Sequence, residues 1–347
     1  MKVIKKLKEK WTIKKFDFKP HLMDGHINTV KNCVFYCVDG IGDAMVCSPI
    51  INTIMDKCTG VAFFVCSASS QLYIELLKNK YHNIIVIPIG RKKDITEGII
   101  TNISKVIKKQ GTVDVLVNGL GRISPFCAQL ASLLKPQAVL SAMESAKRSS
   151  RPKMVHKSVH YANLLYRKGV SIVDCWGIIA QLIGGHYDRT LLFPIKTPSV
   201  AAKPYIAVSL VGASWGAISE KNTLFICHTI SQYYKGKICL IASPGIENMC
   251  NSVASQVENV FVSPLPASLE VSGMCIQSAQ ALVAVCSAPV HIAGAFNTPV
   301  LVIRGVKRSA WCPIVSHTEE YITHNKKIND IDVDEFDECF RRFIQGV

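Results

Sequence analysis

ALVAVCSAPVHIAGAFNTPVLVIRG, residues 281–305, decides the fold class of this chain. A strand runs to Cys286-Ser287, a turn contains Ala288-Pro289, a helix begins around His291, and a second strand covers 300–303. The surrounding stretch from 271 to 303 holds no Asp, Glu, Lys or Arg, yet it is punctuated by Gly273, Pro289, His291, Gly294 and Pro299. A bilayer helix needs about 20 mostly apolar residues without such breaks. An uncharged strand–turn–helix–turn–strand unit is the interior of an α/β domain, where parallel strands are buried on both faces.

The same texture extends in both directions. Strand-like runs are expected at 33–38, 61–67, 84–87, 113–117 and 138–141, separated by helix-length segments at 44–56, 71–78, 96–109 and 125–134. After Pro194, Pro198 and Pro204 the alternation restarts, with strands at 205–210, 238–241, 260–262, 282–286 and 300–303. Such alternation implies right-handed βαβ units, and 347 residues exceed one ordinary core. Two doubly wound domains facing a cleft are therefore expected: 33–195 and 204–330, preceded by a basic extension at 1–32 and closed by a helix at 331–347. That helix has Asp332 or Asp334 as its cap and Phe336, Phe340, Phe343 and Ile344 as its apolar stripe.

Net charge is +15, unevenly spread. Residues 1–32 hold nine Lys against Glu9, Asp17 and Asp24, and 145–173 hold Lys147, Arg148, Arg151, Lys153, Lys157, Arg167 and Lys168 with no acid. Blocks of this kind attract polyanions. No nucleic-acid module accompanies them, which leaves anionic lipid or glycan and excludes nucleic acid as a partner. Residues 1–16 fit a basic amphipathic helix with Val3, Ile4, Leu7 and Trp11 on one stripe, a membrane-surface signal, the alternatives being a helix docked on the protein itself or a frayed solvated tail. The 14 Cys are scattered, many within apolar strands, with no C-x-x-C, and the N-terminus lacks an uncharged signal segment. The expected compartment is the cytoplasm.

Two motifs carry chemistry. In VFYCVDGIGDAMVCSPIINTI, residues 34–54, a strand enters Gly40-Ile41-Gly42-Asp43 and a helix follows with Cys47, Ile50, Ile51 and Ile54 inward. Glycines there let the backbone approach a ligand, but the third Gly of a dinucleotide fingerprint is Val46. Asp43 has two readings, a general base at the carboxyl edge of a first strand or a helix cap. In the second motif, Ser287, Ala288 and His291 at a helix start would suit a diphosphate. The competing reading is an ordinary βαβ turn with a partly buried His.

Together these residues resemble glycosyltransferase family 9, the ADP-heptose:lipopolysaccharide heptosyltransferases. Ile41-Gly42-Asp43 with Pro49, Gly212-Ala213-Ser214, Ser243-Pro244-Gly245-Ile246-Glu247, Ser268-Leu269, the run from Cys286 to Ala295 with Pro299, and Trp311 with Pro313 follow the family's motifs in order over about 33–315. The resemblance implies a GT-B fold of two Rossmann-like domains, the first for an acceptor and the second for a nucleotide-sugar donor, with a last helix crossing back. It implies inverting transfer of a heptose or related sugar, with no metal and no cofactor, to lipopolysaccharide core or a related anionic glycan or glycolipid. Asp43 would be the base. Gly42, Ser214, Glu247, Ser287, Ala288 and His291 would hold the donor, and Lys147, Arg148, Arg151 and Lys153 the acceptor. The place of work would be the inner face of the bacterial cytoplasmic membrane. Cys286, Ala288 and Ile218 stand where the family has Asp, Gly and Lys. A non-catalytic glycan- or lipid-binding protein is the alternative that follows from those three.

Overall fold

The computed structural model describes residues 25–90, 94–119, 123–143, 155–195, 205–212, 216–305, 314–324 and 327–347. The amphipathic stretch with Trp11, the basic residues Lys147, Arg148, Arg151 and Lys153, Ala213-Ser214, and Trp311 with Pro313 lie outside the described residues. Two compact units meet in sequence between Thr190 and Leu191.

The first unit runs β1 (Cys33–Cys37), α1 (Ile41–Met45), α2 (Ser48–Lys57), β2 (Ala62–Cys66), α3 (Ala68–Leu77), β3 (Ile84–Pro88), α4 (Glu97–Lys108), β4 (Val115–Asn118), α5 (Pro125–Leu134), β5 (Ala138–Ser141), α6 (Lys157–Arg167) and α7 (Ile172–Leu182). Its strands lie in the order β3-β2-β1-β4-β5, all parallel. Every residue of β1 and β2 is buried, which is why both read as unbroken apolar runs. Val34, Tyr36, Phe63, Val65 and Leu116 meet Ile100, Ile103 and Ile107 of α4 and Leu130 of α5 on one face. Helix starts follow local chemistry: the hydroxyls of Thr96 and Ser124 accept N–H bonds from Ile99 and Cys127, and Pro125 occupies the first turn of α5.

The second unit runs β6 (Tyr205–Ser209), β7 (Val211–Gly212), β8 (Gly216–Ala217), α8 (Glu220–Tyr233), β9 (Lys237–Leu240), α9 (Glu247–Gln256), β10 (Val260–Val262), α10 (Leu269–Gln277), β11 (Ala281–Val285), α11 (Ala288–Phe296), β12 (Val300–Arg304), β13 (Thr318–Ile322) and α12 (Val333–Gln345). Its six-stranded sheet is ordered β10-β9-β6-β11-β12-β13 and is again parallel throughout; β7 and β8 form a small antiparallel pair. Asp332 caps α12 by accepting from Glu335 N–H at 3.0 Å. Phe336, Phe340 and Phe343 of that helix are buried in the second unit's core with Ile226, Ile230 and Ile303.

Three expectations are corrected. The helix expected over 44–56 is two helices. Pro49 has no N–H to give the Met45 carbonyl, and its ring clashes there, so the helix breaks; Ser48 Oγ donates to that carbonyl instead, at 2.5 Å. The helix expected to begin around His291 begins at Ala288, because Ser287 is its N-cap and Pro289 fits the first turn. Strand β13, helix α6 and the β7–β8 pair were not expected, since none is an apolar run.

Candidate functional site

In an open parallel sheet, ligands bind beyond the carboxyl ends of the strands where the strand order reverses. The chain moves outward from β1 through β2 to β3 and then returns to β4, so the first reversal lies between β1 and β4. The same logic places the second between β6 and β11. Each reversal carries one of the motifs picked out by sequence.

At the first reversal β1 leads through Val38 and Asp39 to Gly40, the N-cap of α1, and Asp43 sits in that helix's first turn. Asp43 Oδ2 accepts the Gly40 N–H at 3.0 Å, so the carboxylate holds the turn in place. Residues 39–43, Gly42 and Asp43 among them, are partly exposed. The turn is braced from β2: Ser67 Oγ donates to the Asp39 carbonyl at 2.8 Å and Ser70 Oγ to the Cys37 carbonyl at 2.5 Å. Cys47 Sγ donates to the carbonyls of Asp43 and Gly119. Burial pushes the thiols of Cys37 and Cys47 well above the usual range, so neither is a nucleophile or base at neutral pH. Opposite them, Gly119 follows β4; a Cβ there would stand 2.8 Å from Cys37 Sγ and 3.3 Å from the Tyr36 carbonyl, so only glycine fits. Asn118, buried at the end of β4, donates to Ser141 Oγ at 3.0 Å.

At the second reversal Ser287 N-caps α11, with Ala288 as its first residue. The Ser287 hydroxyl donates to the Val211 carbonyl at 2.9 Å, and the Val285 carbonyl lies 3.1 Å away. It therefore ties the end of β11 to the β7 segment. In the first turn of α11 Pro289 has no N–H and Val290 N–H donates to the Ser287 carbonyl at 3.1 Å, so an anion there would be met by the helix dipole and the Ala288 N–H. His291 lies one turn into the helix and is 7% exposed. Burial, aided by the Arg304 charge, lowers its pKa to about 4, so the imidazole is neutral at physiological pH. Arg304 itself is fully buried at the end of β12 and pairs with Glu320 of β13 at 3.1 Å.

On the other side of β6, Ser243-Pro244-Gly245-Ile246 forms a tight turn after β9. Ile246 N–H donates to the Ser243 carbonyl at 3.1 Å, and Gly245 has φ +93°, a conformation that favours glycine. Glu247 opens α9 and accepts the Gly245 N–H at 2.7 Å. Ile218, at the position of the family's Lys, is 1% exposed and belongs to the core; Lys221, in the first turn of α8, is exposed. Ser214 lies outside the described residues, as do the four basic residues assigned to the acceptor.

Sequence reasoning missed Arg304, Glu320, Asn118 and Gly119. Arg304 was visible only as the charge that ends an uncharged stretch, and its partner lies on a strand with no apolar signature. Asn118 and Gly119 had a weaker signal, two small polar residues directly after a strand. Among the described residues no cluster of His, Cys, Asp and Glu has the arrangement of a metal site, and no helix is long and apolar enough to cross a membrane.

No protein-family model and no curated protein matches the chain. Solved structures do. A family 9 glycosyl transferase from Veillonella parvula superposes with a TM-score of 0.67 at 13% identity, covering 92% of this chain and 99% of that one. The E. coli heptosyltransferase WaaC with ADP gives 0.62 at 14% identity, covering 91% and 99%. The UDP-GlcNAc 2-epimerase of Methanocaldococcus jannaschii gives 0.53 at 14%, covering 90% and 92%. The resemblance read from sequence thus extends to structure: this chain has the GT-B fold of family 9 glycosyltransferases and heptosyltransferases.

Proposed function

We propose that the chain is an inverting glycosyltransferase that moves a heptose or related sugar from a nucleotide-sugar to an anionic glycan or glycolipid, lipopolysaccharide core being the acceptor class that fits. The observation carrying this reading is that both motifs fall at the reversal points of their sheets, one with a carboxylate in a partly exposed turn and the other with a helix start. In this reading the first unit takes the acceptor. Asp43 accepts the proton of an acceptor hydroxyl while that oxygen forms its bond to the anomeric carbon. The bond from that carbon to the nucleotide diphosphate breaks, and the second unit receives the departing charge at the first turn of α11, around Ser287 and Ala288. His291 contributes as a neutral imidazole, Glu247 takes a ribose hydroxyl, and neither metal nor cofactor takes part.

The acceptor would be reached at the inner face of the cytoplasmic membrane. Support comes from α6 and its C-cap Lys168, where Lys157, Tyr161, Leu164 and Lys168 are exposed at helical spacing: Tyr161 is 64% and Leu164 44% exposed between cations. Lys147, Arg148, Arg151 and Lys153 precede this helix in sequence and extend the same charge. Calorimetry with ADP, UDP, GDP and CDP, with CMP as the monophosphate control, tests the donor half. At least one diphosphate should bind. Binding of none at millimolar concentration would sink the transferase reading and leave a non-catalytic glycan- or lipid-binding protein, the role that Cys286 and Ile218 would then explain.

A further inference from the structure

Eleven of the thirteen thiols among the described residues are buried; Cys58 and Cys286 are partly exposed. Cys58 is unusual in a second way. It follows α2, and its Sγ lies 3.8 Å from Sγ of Cys33, the first residue of β1. The backbone on both sides of this pair is pinned. Val30 N–H donates to the Lys57 carbonyl at 3.0 Å and Thr59 N–H to the Val30 carbonyl at 2.8 Å. Asn32 Oδ1 accepts from Val61 N–H at 3.0 Å, and a Cβ on Gly60 would overlap the Lys31 carbonyl. The two sulfurs are therefore held beside each other by a pinned main chain. A disulfide requires them to close from 3.8 Å to ~2.05 Å.

The two thiols are also unequal. The Cys33 thiol donates to Cys58 sulfur and thereby pulls the Cys58 pKa down to about 7 against the opposing effect of burial and of the Asp114 carboxylate. Cys33, fully buried, is pushed well above the usual range, first by that same hydrogen bond. One cysteine is thus partly exposed with a lowered pKa, and its neighbour is a buried protonated thiol 3.8 Å away.

We propose that Cys33 and Cys58 are a redox-active dithiol, oxidised to an intramolecular disulfide by small-molecule disulfides. With oxidised glutathione, the Cys58 thiolate attacks one sulfur, forming a mixed disulfide and releasing one glutathione thiolate. The Cys33 sulfur then attacks Cys58 Sγ and expels the second glutathione thiolate, which takes up the Cys33 proton. Two cysteine thiols are oxidised and one glutathione disulfide is reduced to two thiols. The new bond closes the segment from 33 to 58, which contains Gly42 and Asp43. Cys239 and Cys275 provide an internal control. They share a sulfur–sulfur hydrogen bond too, but both are buried, so the oxidant has no access to them.

The full-length chain is equilibrated in glutathione buffers from fully reduced to mostly oxidised, free thiols are alkylated, and the digest is read by mass spectrometry. The expected result is a Cys33–Cys58 cross-linked peptide, loss of two alkylatable thiols per chain, and full reversal by dithiothreitol. Cys33→Ser should stop the reaction at a glutathione adduct on Cys58, and Cys58→Ser should give neither species. The wild-type chain decides even if a variant fails to fold. Retention of both thiols in the oxidised buffer, or a stable glutathione adduct on Cys58 with Cys33 still free, overturns the proposal, as does a Cys239–Cys275 bond forming first.

Discussion

The reversal point of the first sheet is lined by carboxylates and protonated thiols, whereas that of the second holds a helix start, a neutral imidazole and, behind them, a buried guanidinium. Both sit beside the central strand of a parallel sheet, and both are entered by a strand followed at once by a helix. The backbone plan is thus shared and the electrostatics differ. Asp43 lies in a partly exposed turn and is fixed by Gly40. His291 is buried beneath its helix and cannot carry charge near neutral pH. A transfer reaction needs that inequality, with a proton acceptor for one substrate and a receiver of negative charge for the other.

The sharpest way to break the contrast is Asp43→Asn. Asn keeps an oxygen for the Gly40 N–H and removes only basicity, so transfer should fall by roughly 10²–10⁴-fold while calorimetric nucleotide affinity stays constant. A variant with near-normal turnover would make Asp43 a capping residue and nothing more. At the second reversal, Arg304→Met should destabilise the chain by about 3 kcal/mol in urea unfolding, because Glu320 loses the partner of a largely buried pair; adding Glu320→Gln should recover most of that.

A smaller effect follows from titration. The folded pKa of His291 lies below its unfolded value, so between pH 6.5 and about 4 the unfolded chain binds the extra proton. Stability contributed by the neutral ring is complete above pH 6.5 and is lost as pH falls toward about 4, on the order of 3 kcal/mol at most. Urea midpoints measured from pH 7 to 4 should show this slope and lose it in His291→Gln. Arg304→Met should raise the His291 pKa by NMR titration but leave it below 6.5, since burial is the larger cause. The smallest change is expected in binding: His291→Ala should weaken the preferred nucleoside diphosphate by roughly 1–2 kcal/mol in calorimetry, the scale of one hydrogen bond to a charged partner.

Much of the fold was legible because parallel strands buried on both faces leave an unmistakable trace. CVFYC and AFFVC read as strands without any knowledge of their neighbours, and they are β1 and β2. Edge strand β13, TEEYI, left no such trace: its carboxylates serve Arg304 and Arg342, a relationship that sequence periodicity does not encode. The break at Pro49 could have been read, since a proline one turn after Met45 forbids a continuous helix. For the site, the positions of Gly42, Asp43, Ser287 and Ala288 at strand-to-helix turns were legible because such turns have a local signature. The state of His291 was not. Its neutrality depends on burial and on Arg304, thirteen residues away in sequence and adjacent only through the sheet.

Both large sheets are parallel in every pairing, and that has a kinetic consequence. No two adjacent strands in them can nucleate as a hairpin, and each parallel pairing must wait for a long connection, in most cases one that carries a helix, whose loop entropy has to be met. In each unit the first strand to be synthesised, β1 or β6, is also a central one. CVFYC and YIAVS are fully buried at the end of folding but begin as lone, sticky segments that wait for the partners on both flanks. Slow refolding, loss of material to aggregation at high concentration, and better recovery with a chaperone present are the expected behaviour of a chain built this way.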